Sequence, residues 1–269
     1  METWFPLGDP VPGRQAKPRR QGLTMVIDKG LGPAATRDLM AVAAAHIDFV
    51  KLGFGSSLVY PQAVLVEKIR ILREAGVYVC PGGTLLEVAV YKGAVKEFLA
   101  AAARIGFTHI EVSEGTIDLA PDVRRDLIRR ARDTGFGALA EIGKKDPGRA
   151  LVPEEVWRQA AEDLAAGAQV VIIEGRDSGR GVGIYDAAGQ IRTALLEALA
   201  AGFDDMDRVM WEAPQTQQQQ ALLLRFGPDI NLGNVQPADA LALEAMRRGL
   251  RGDTFRRCLA AAQGQRIPT

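Results

Sequence analysis

The sequence predicts a single parallel (β/α)8 barrel, a TIM barrel, over residues 22–269, preceded by an N-terminal arm over residues 1–21. Eight short apolar or β-branched runs alternate with longer amphipathic segments from Thr24 onward. The readable amphipathic segments stop at glycine, with the next strand about two residues later, as αβ turns do. Such alternation implies parallel strands joined by crossover helices. Eight units with no plainly polar edge strand favour closure over an open sheet. The 269 residues suit one such unit, since barrels of about 250 residues fold as one domain.

The expected strands are Thr24–Asp28, Phe49–Leu52, 78–80, His109–Val112, Gly137–Ile142, 169–174, Val209–Glu212 and 230–232. A helix over 61–75 opens on Pro61 and places Val64, Leu65, Ile69 and Leu72 on one face before Gly76 stops it. One helix over 87–105 repeats this with Val88, Tyr91, Val95, Phe98 and Leu99, ending at Gly106. Pro153–Ala166 ends at Gly167, and a helix over 237–250 turns Leu241, Leu243 and Met246 inward. The glutamines at 217–220 fall inside the helix after the seventh strand; most are expected in solvent, with one reaching the rim.

The arm carries Pro6, Pro10, Pro12 and Pro18 and a basic end at Lys17, Arg19 and Arg20. It lacks the apolar centre of a signal peptide. Two readings stand: a loosely packed tail, or Arg19 or Arg20 folding over the barrel to contribute charge. No run approaches the roughly 18 apolar residues of a membrane helix. The 33 basic and 33 acidic residues cancel, so nothing global argues for nucleic acid or a membrane surface. Cys80 and Cys258 form no metal pattern, and a reducing cytoplasm is the expected home. A homo-oligomer is expected.

Function is written at the strand ends. Strand one ends in Asp28-Lys29, strand two in Lys51, strand three in Pro81-Gly82-Gly83-Thr84. Strand four carries Glu111, Ser113 and Glu114, and strand five Glu141 with Lys144-Lys145. Strand six ends in Glu174-Gly175-Arg176, strand seven in Glu212, strand eight in Gly233-Asn234. In a parallel barrel these ends share one mouth, where sites lie. So many charges repel and desolvate one another unless opposite charges, a metal or a ligand compensates. Asp28, Glu111, Glu141, Glu174 and Glu212 are hard oxygen donors suited to Mg2+ rather than to a soft zinc site. Lys51, Lys144, Lys145 and Arg176 suit phosphate or carboxylate groups, and the Gly82-Gly83 and Gly233-Asn234 turns can present backbone N–H groups to anions.

The absences narrow the chemistry. His46 and His109 both fall at the opposite barrel end, which disfavours a Ser-His-Asp triad or a histidine metal site. Cys80 has no histidine partner, and no dinucleotide fingerprint follows strand one. Acid–base work falls to lysine and carboxylate.

At these same positions the chain resembles the phosphosulfolactate synthase family. The resemblance runs through 22–30, 51–56, 81–85, 111–115, 141–145, 174–179, 212–215 and 231–235, one segment per strand end. It implies a Mg2+-dependent barrel, a carbon–sulfur lyase working in the synthetic direction, that adds sulfite to phosphoenolpyruvate to give (2R)-phospho-3-sulfolactate. The family includes coenzyme M biosynthesis enzymes, bacterial relatives and a plant branch linked to heat stress. Under this resemblance Lys144 is the expected acid that protonates C2, with Lys145 as second choice and Glu212 beside them. Glu141 and Glu111, then Asp28 and Glu174, are the expected metal ligands. Lys29, Lys51, Gly82, Gly83, Arg176, Gly233 and Asn234 are the expected binders of the anionic substrates. Two alternatives stand beside this: a related barrel using phosphoenolpyruvate with another nucleophile, and a non-catalytic stress-associated relative.

Overall fold

The computed structural model describes residues 8–146 and 149–256; Cys258 and residues 1–7 of the arm lie outside the described residues. The eight strands are β1 Thr24–Asp28, β2 Phe49–Leu52, β3 Tyr78–Pro81, β4 His109–Val112, β5 Gly137–Ile142, β6 Val170–Ile173, β7 Val209–Glu212 and β8 Asn231–Val235. They form one parallel sheet in the order β3-β2-β1-β8-β7-β6-β5-β4. The seam between β3 and β4 is bridged by Thr108, whose N–H donates to the Val79 carbonyl (3.0 Å) while its Oγ1 accepts from the Val79 N–H (2.8 Å). The result is the expected (β/α)8 barrel.

Side chains alternate across each strand with period two. Met25, Phe49, Cys80, Leu139, Ile172 and Met210 fill the barrel interior. The alternate set, such as Val26, Val50, Val79, Ile110, Ala140 and Val171, packs outward against the helices. Register ties the inward positions into layers: Ile27 lies beside Lys51, Lys51 beside Cys80, Glu111 beside Leu139, and Glu141 beside Ile172. The inward residues are apolar below and charged above.

The helices are α1 Pro33–Ala43, α2 Gln62–Glu74, α3 Gly83–Tyr91, α4 Val95–Ile105, α5 Pro121–Asp133, α6 Pro153–Ala166, α7 Thr193–Ala201, α8 Thr216–Phe226 and α9 Ala240–Arg247. The single helix expected over 87–105 is two. Gly93, at φ +66°, takes a left-handed turn that ends α3 and lets α4 restart. Val88 and Tyr91 are therefore exposed, and Leu85, Leu86 and Ala89 are buried instead. Over 237–250 a 3-10 turn at Pro237–Asp239 precedes α9. Leu243 and Met246 face in, but Leu241 faces solvent.

At the N-terminal end of the barrel, aromatic rings pack together and the arm docks. His109 packs edge-on against Phe49 and tilted against Tyr78, with ring centroids 5.1 and 4.6 Å away, and its Nε2 meets Gln169 Oε1 at 3.0 Å. Burial lowers its pKa to about 4, so it is neutral at pH 7. The described part of the arm is tied down here. Lys17 donates to the carbonyls of Ala44 and Ile47, and Arg19 pairs at 2.9 Å with Asp48, which also accepts from Thr24 N–H. Arg19 does fold over the barrel, but at the end opposite the charged mouth.

Lys68 of α2 is fully buried, ion-paired with Asp28 and donating to the Leu31 carbonyl at 2.6 Å and to Tyr60 Oη at 3.0 Å. Breaking a buried pair leaves a charge without its counter-ion, which costs about 3–5 kcal/mol. Lys68→Met should lower the unfolding free energy extrapolated from urea titration by that amount, through a lower midpoint at unchanged slope; a loss below about 1 kcal/mol contradicts the pairing.

Candidate active site

Period two decides which rim charges meet. Lys51, Glu111, Glu141 and Glu212 occupy inward positions of β2, β4, β5 and β7, and Glu174 follows β6 in the same phase. All five are buried. Lys51 Nζ lies 2.7 Å from Glu212 Oε1, 3.0 Å from Glu111 Oε2 and 3.4 Å from Glu141 Oε2. Lys145 reaches in from above: its Nζ is 3.2 Å from Glu141 Oε1 and 3.7 Å from Glu174 Oε2, and it donates to Thr84 Oγ1 at 3.0 Å.

Backbone N–H groups from the strand-end loops fix these carboxylates. Gly83 N–H donates to Glu111 Oε1 (2.7 Å), Gly175 N–H to Glu212 Oε2 (2.9 Å) and Arg176 N–H to Glu174 Oε1 (2.6 Å). A Cβ on Gly83 would sit 2.4 Å from Ser113 Oγ, and one on Gly175 would sit 2.8 Å from the Glu212 carbonyl. Only glycine admits such approach.

Four carboxylates thus face two ammonium groups. Burial opposes charge on Lys51, but Glu111, Glu212 and Glu141 outweigh it and hold the ammonium well above its ordinary pKa. Burial also opposes charge on Glu141, and Lys145 with Lys51 overcome it, so Glu141 stays well below the usual carboxylate range. Glu174 goes the other way: burial, then Glu141 and Glu212, push it well above that range. Burial, opposed by Lys51 and reinforced by Glu141 and Glu212, raises Glu111 to about 7. The centre carries more carboxylates than cations, and that imbalance favours the protonated forms of Glu174 and Glu111.

That excess fits a hard divalent cation. Glu141, Glu174 and Glu212 each offer an oxygen, all within 4.8 Å of one another. Glu111 Oε2, Glu141 Oε1 and Glu174 Oε2 are buried without a well-directed hydrogen bond. Their nearest cations are the Lys51 and Lys145 ammonium groups, and an all-oxygen donor set of this kind suits a hard cation such as Mg2+ rather than a soft metal.

Several expected residues stand elsewhere. Asp28 follows inward Ile27 and points outward; it accepts from the Gly30 and Leu31 N–H groups at 2.9 Å and pairs with Lys68, so it is no ligand of this centre. Lys144 turns away: its Nζ donates to the Glu114 and Ile117 carbonyls (2.7 and 2.8 Å) and pairs with Asp118. Lys145 occupies the place expected of Lys144. The Gly83 N–H meets an anion, but it is the Glu111 carboxylate; Gly82 N–H donates to the Leu52 carbonyl. The Gly233 carbonyl accepts from Ala213 N–H, and Asn234 Nδ2 donates to the Arg176 carbonyl at 3.1 Å. Lys29 and Arg176 sit exposed on the rim, Lys29 beside Asp177 at 3.4 Å, Arg176 donating to the Lys145 carbonyl.

Beyond the 174–179 segment, where the strand-end pattern does not reach, the β6–α7 connection also braces the site. Tyr185 Oη donates to the Glu212 carbonyl (2.6 Å), and Gln218 Nε2 holds the connection by donating to the carbonyls of Gly179 and Gly189. Gln218 and Gln219 are buried rather than solvated. Among the described residues, the non-glycine residues with left-handed backbone, Phe54, Arg176 and Asn234 at φ 58°, 58° and 53°, all border this mouth. Strain of this kind collects at functional sites.

Fold and site together define a (β/α)8-barrel enzyme with its polar centre at the C-terminal strand ends. The match to the model of the (2R)-phospho-3-sulfolactate synthase (ComA) family extends over residues 12–253, and the chain belongs to that family. It is 44% identical over 246 residues to the phosphosulfolactate synthase of Methanothermobacter thermautotrophicus, covering 91% of this chain and 95% of the relative. It is 38% identical over 247 residues to that of Bacillus subtilis, covering 91% and 96%. The 3-hexulose-6-phosphate synthase of Salmonella typhimurium shares the fold at TM-score 0.52 and 14% identity, over 90% of this chain and 99% of that one. Among the described residues no helix is long and apolar enough to cross a membrane.

Because the folded state holds the Glu111 proton more tightly than the unfolded chain, the resulting stability is complete below pH about 4.5 and is lost as pH rises through about 7. Glu111→Gln, which keeps the neutral shape, should gain roughly 2–3 kcal/mol on the parent between those pH values when both are unfolded in chelator. A pH-independent difference contradicts the shift.

Proposed function

We propose that the protein adds sulfite to phosphoenolpyruvate, forming the C–S bond of (2R)-phospho-3-sulfolactate. The observation that carries the reading is the centre itself: buried glutamates that outnumber their cations, and one ammonium group, Lys145, poised above them. The sulfur lone pair of sulfite attacks C3, the C2–C3 π electrons move into the carboxylate, and C2 is left to take a proton. Glu141, Glu174 and Glu212, with Glu111 beside them, would hold Mg2+. When bound, that ion supplies positive charge where the substrate carboxylate gains negative charge, an interaction strongest near the transition state.

The protein's own groups do the rest. Lys145 donates its proton to C2 from one face, which sets the configuration, and recovers a proton from solvent. Its pairing with Glu141 and Glu174 keeps it charged until substrate arrives. Arg176 and Lys29, exposed on the rim, receive the phosphate. Lys51, enclosed by three glutamates, orders the carboxylates rather than binding substrate.

The test is incubation with phosphoenolpyruvate, sulfite and Mg2+, following enol absorbance and identifying the product by mass. Sulfite-dependent loss of the enol with a product of phosphosulfolactate mass is expected; consumption independent of sulfite points to another nucleophile and overturns the reading. Lys145→Met should lower kcat about 10²–10⁴-fold, the usual worth of a positioned acid. Turnover within threefold of the parent removes that role.

A further inference from the structure

Glu87 lies on α3, buried, and forms no ion pair among the described residues. Its carboxylate is satisfied by one short loop. Oε1 accepts from Ser113 Oγ at 2.5 Å and Gly115 N–H at 3.1 Å; Oε2 accepts from the Thr116 and Ile117 N–H groups at 2.8 and 3.0 Å. Successive N–H groups converging on one anion form a nest, which fixes the backbone that supplies them.

The other side of the same loop grips the lysine pair. The Glu114 and Ile117 carbonyls accept from Lys144 Nζ, and the Gly115 carbonyl accepts from Lys145 N–H at 3.1 Å. Gly115 also forms the wall along which the Lys145 side chain runs. A Cβ there would lie 3.0, 2.9 and 2.8 Å from Lys145 Cγ, Cδ and Cε. The path of that side chain into the mouth therefore depends on the loop's position and on the missing methyl.

We propose that Glu87 and Gly115 are positioning residues for Lys145: Glu87 clamps the 113–117 loop, and the loop aims the ammonium group at the glutamates. This rests on the proton-donor reading of Lys145. Glu87→Gln keeps the size of the side chain but turns an N–H donor toward donors in the nest. Gly115→Ala adds a methyl whose three nearest neighbours are all atoms of the Lys145 side chain.

The test places both substitutions in the parent and in Lys145→Met, measuring kcat, KM and the rate of reductive methylation of Lys145 by mass spectrometry. In the parent background each should lower kcat at least tenfold with KM for phosphoenolpyruvate within threefold. In Lys145→Met each should cost less than a further twofold, because nothing remains to be aimed. Methylation of Lys145 should speed up at least threefold in both variants, as the ammonium leaves its carboxylates. Equal losses in both backgrounds, or unchanged methylation, overturn the proposal. Should Glu87→Gln fail to fold, Gly115→Ala decides alone. Should the parent show no sulfite-dependent turnover, the functional reading fails, while methylation still settles the aiming of Lys145.

Discussion

The site depends on one buried cation. Lys51 stands inside the barrel with its ammonium among Glu111, Glu141 and Glu212. Above Cys80 and Leu139 the apolar filling of the barrel gives way to charge. Isolated in a low-dielectric interior, any of these groups would be neutral or unfolding. Together they are mutually necessary. Lys51 permits three carboxylates to converge, and the carboxylates keep Lys51 protonated. One ammonium cannot balance them all, even with Lys145 added, so the centre is left with an appetite for positive charge.

The strand-end loops are spent on orienting these acids. The N–H groups of Gly83, Gly175 and Arg176 each take one oxygen of one glutamate. The opposite oxygen of Glu111 and of Glu174 is left without a directed hydrogen bond, as is Glu141 Oε1. Preorganisation of this kind removes the need to reorient dipoles when charge develops on a substrate. The β6–α7 connection and Tyr185 act one layer further out, holding the backbone of Glu212.

Much of this was legible in the sequence, because parallel barrels place strand ends at one mouth and the chain repeats strand, helix and stop glycine. The metal-type donors Glu141 and Glu174 and the central Lys51 could be named from that alone. Asp28 lies at a strand end but out of phase with the site: Ile27 faces inward, so its neighbour cannot. Lys144 and Lys145 lie beyond the strand, where period two no longer applies. Their directions are set by the 113–117 loop, distant in sequence, and no local pattern announces that. The break at Gly93 was readable in principle, since a glycine after Lys92 suits a left-handed helix end, but the apolar spacing on either side masked it. In the sequence Glu87 is a single acidic residue among the apolar residues of α3. Its role appears only when α3 is laid against the loop after β4.

A centre with this excess of buried carboxylate should hold one divalent cation. Calorimetric titration of Mg2+ into the metal-free protein tests it most directly, comparing the parent with Glu174→Gln and with Glu114→Gln, whose side chain meets Gln159 outside the centre. One ion per chain is predicted, with affinity at least tenfold weaker in Glu174→Gln and within threefold of the parent in Glu114→Gln. Absent binding in the parent, or equal affinity in all three proteins, contradicts it.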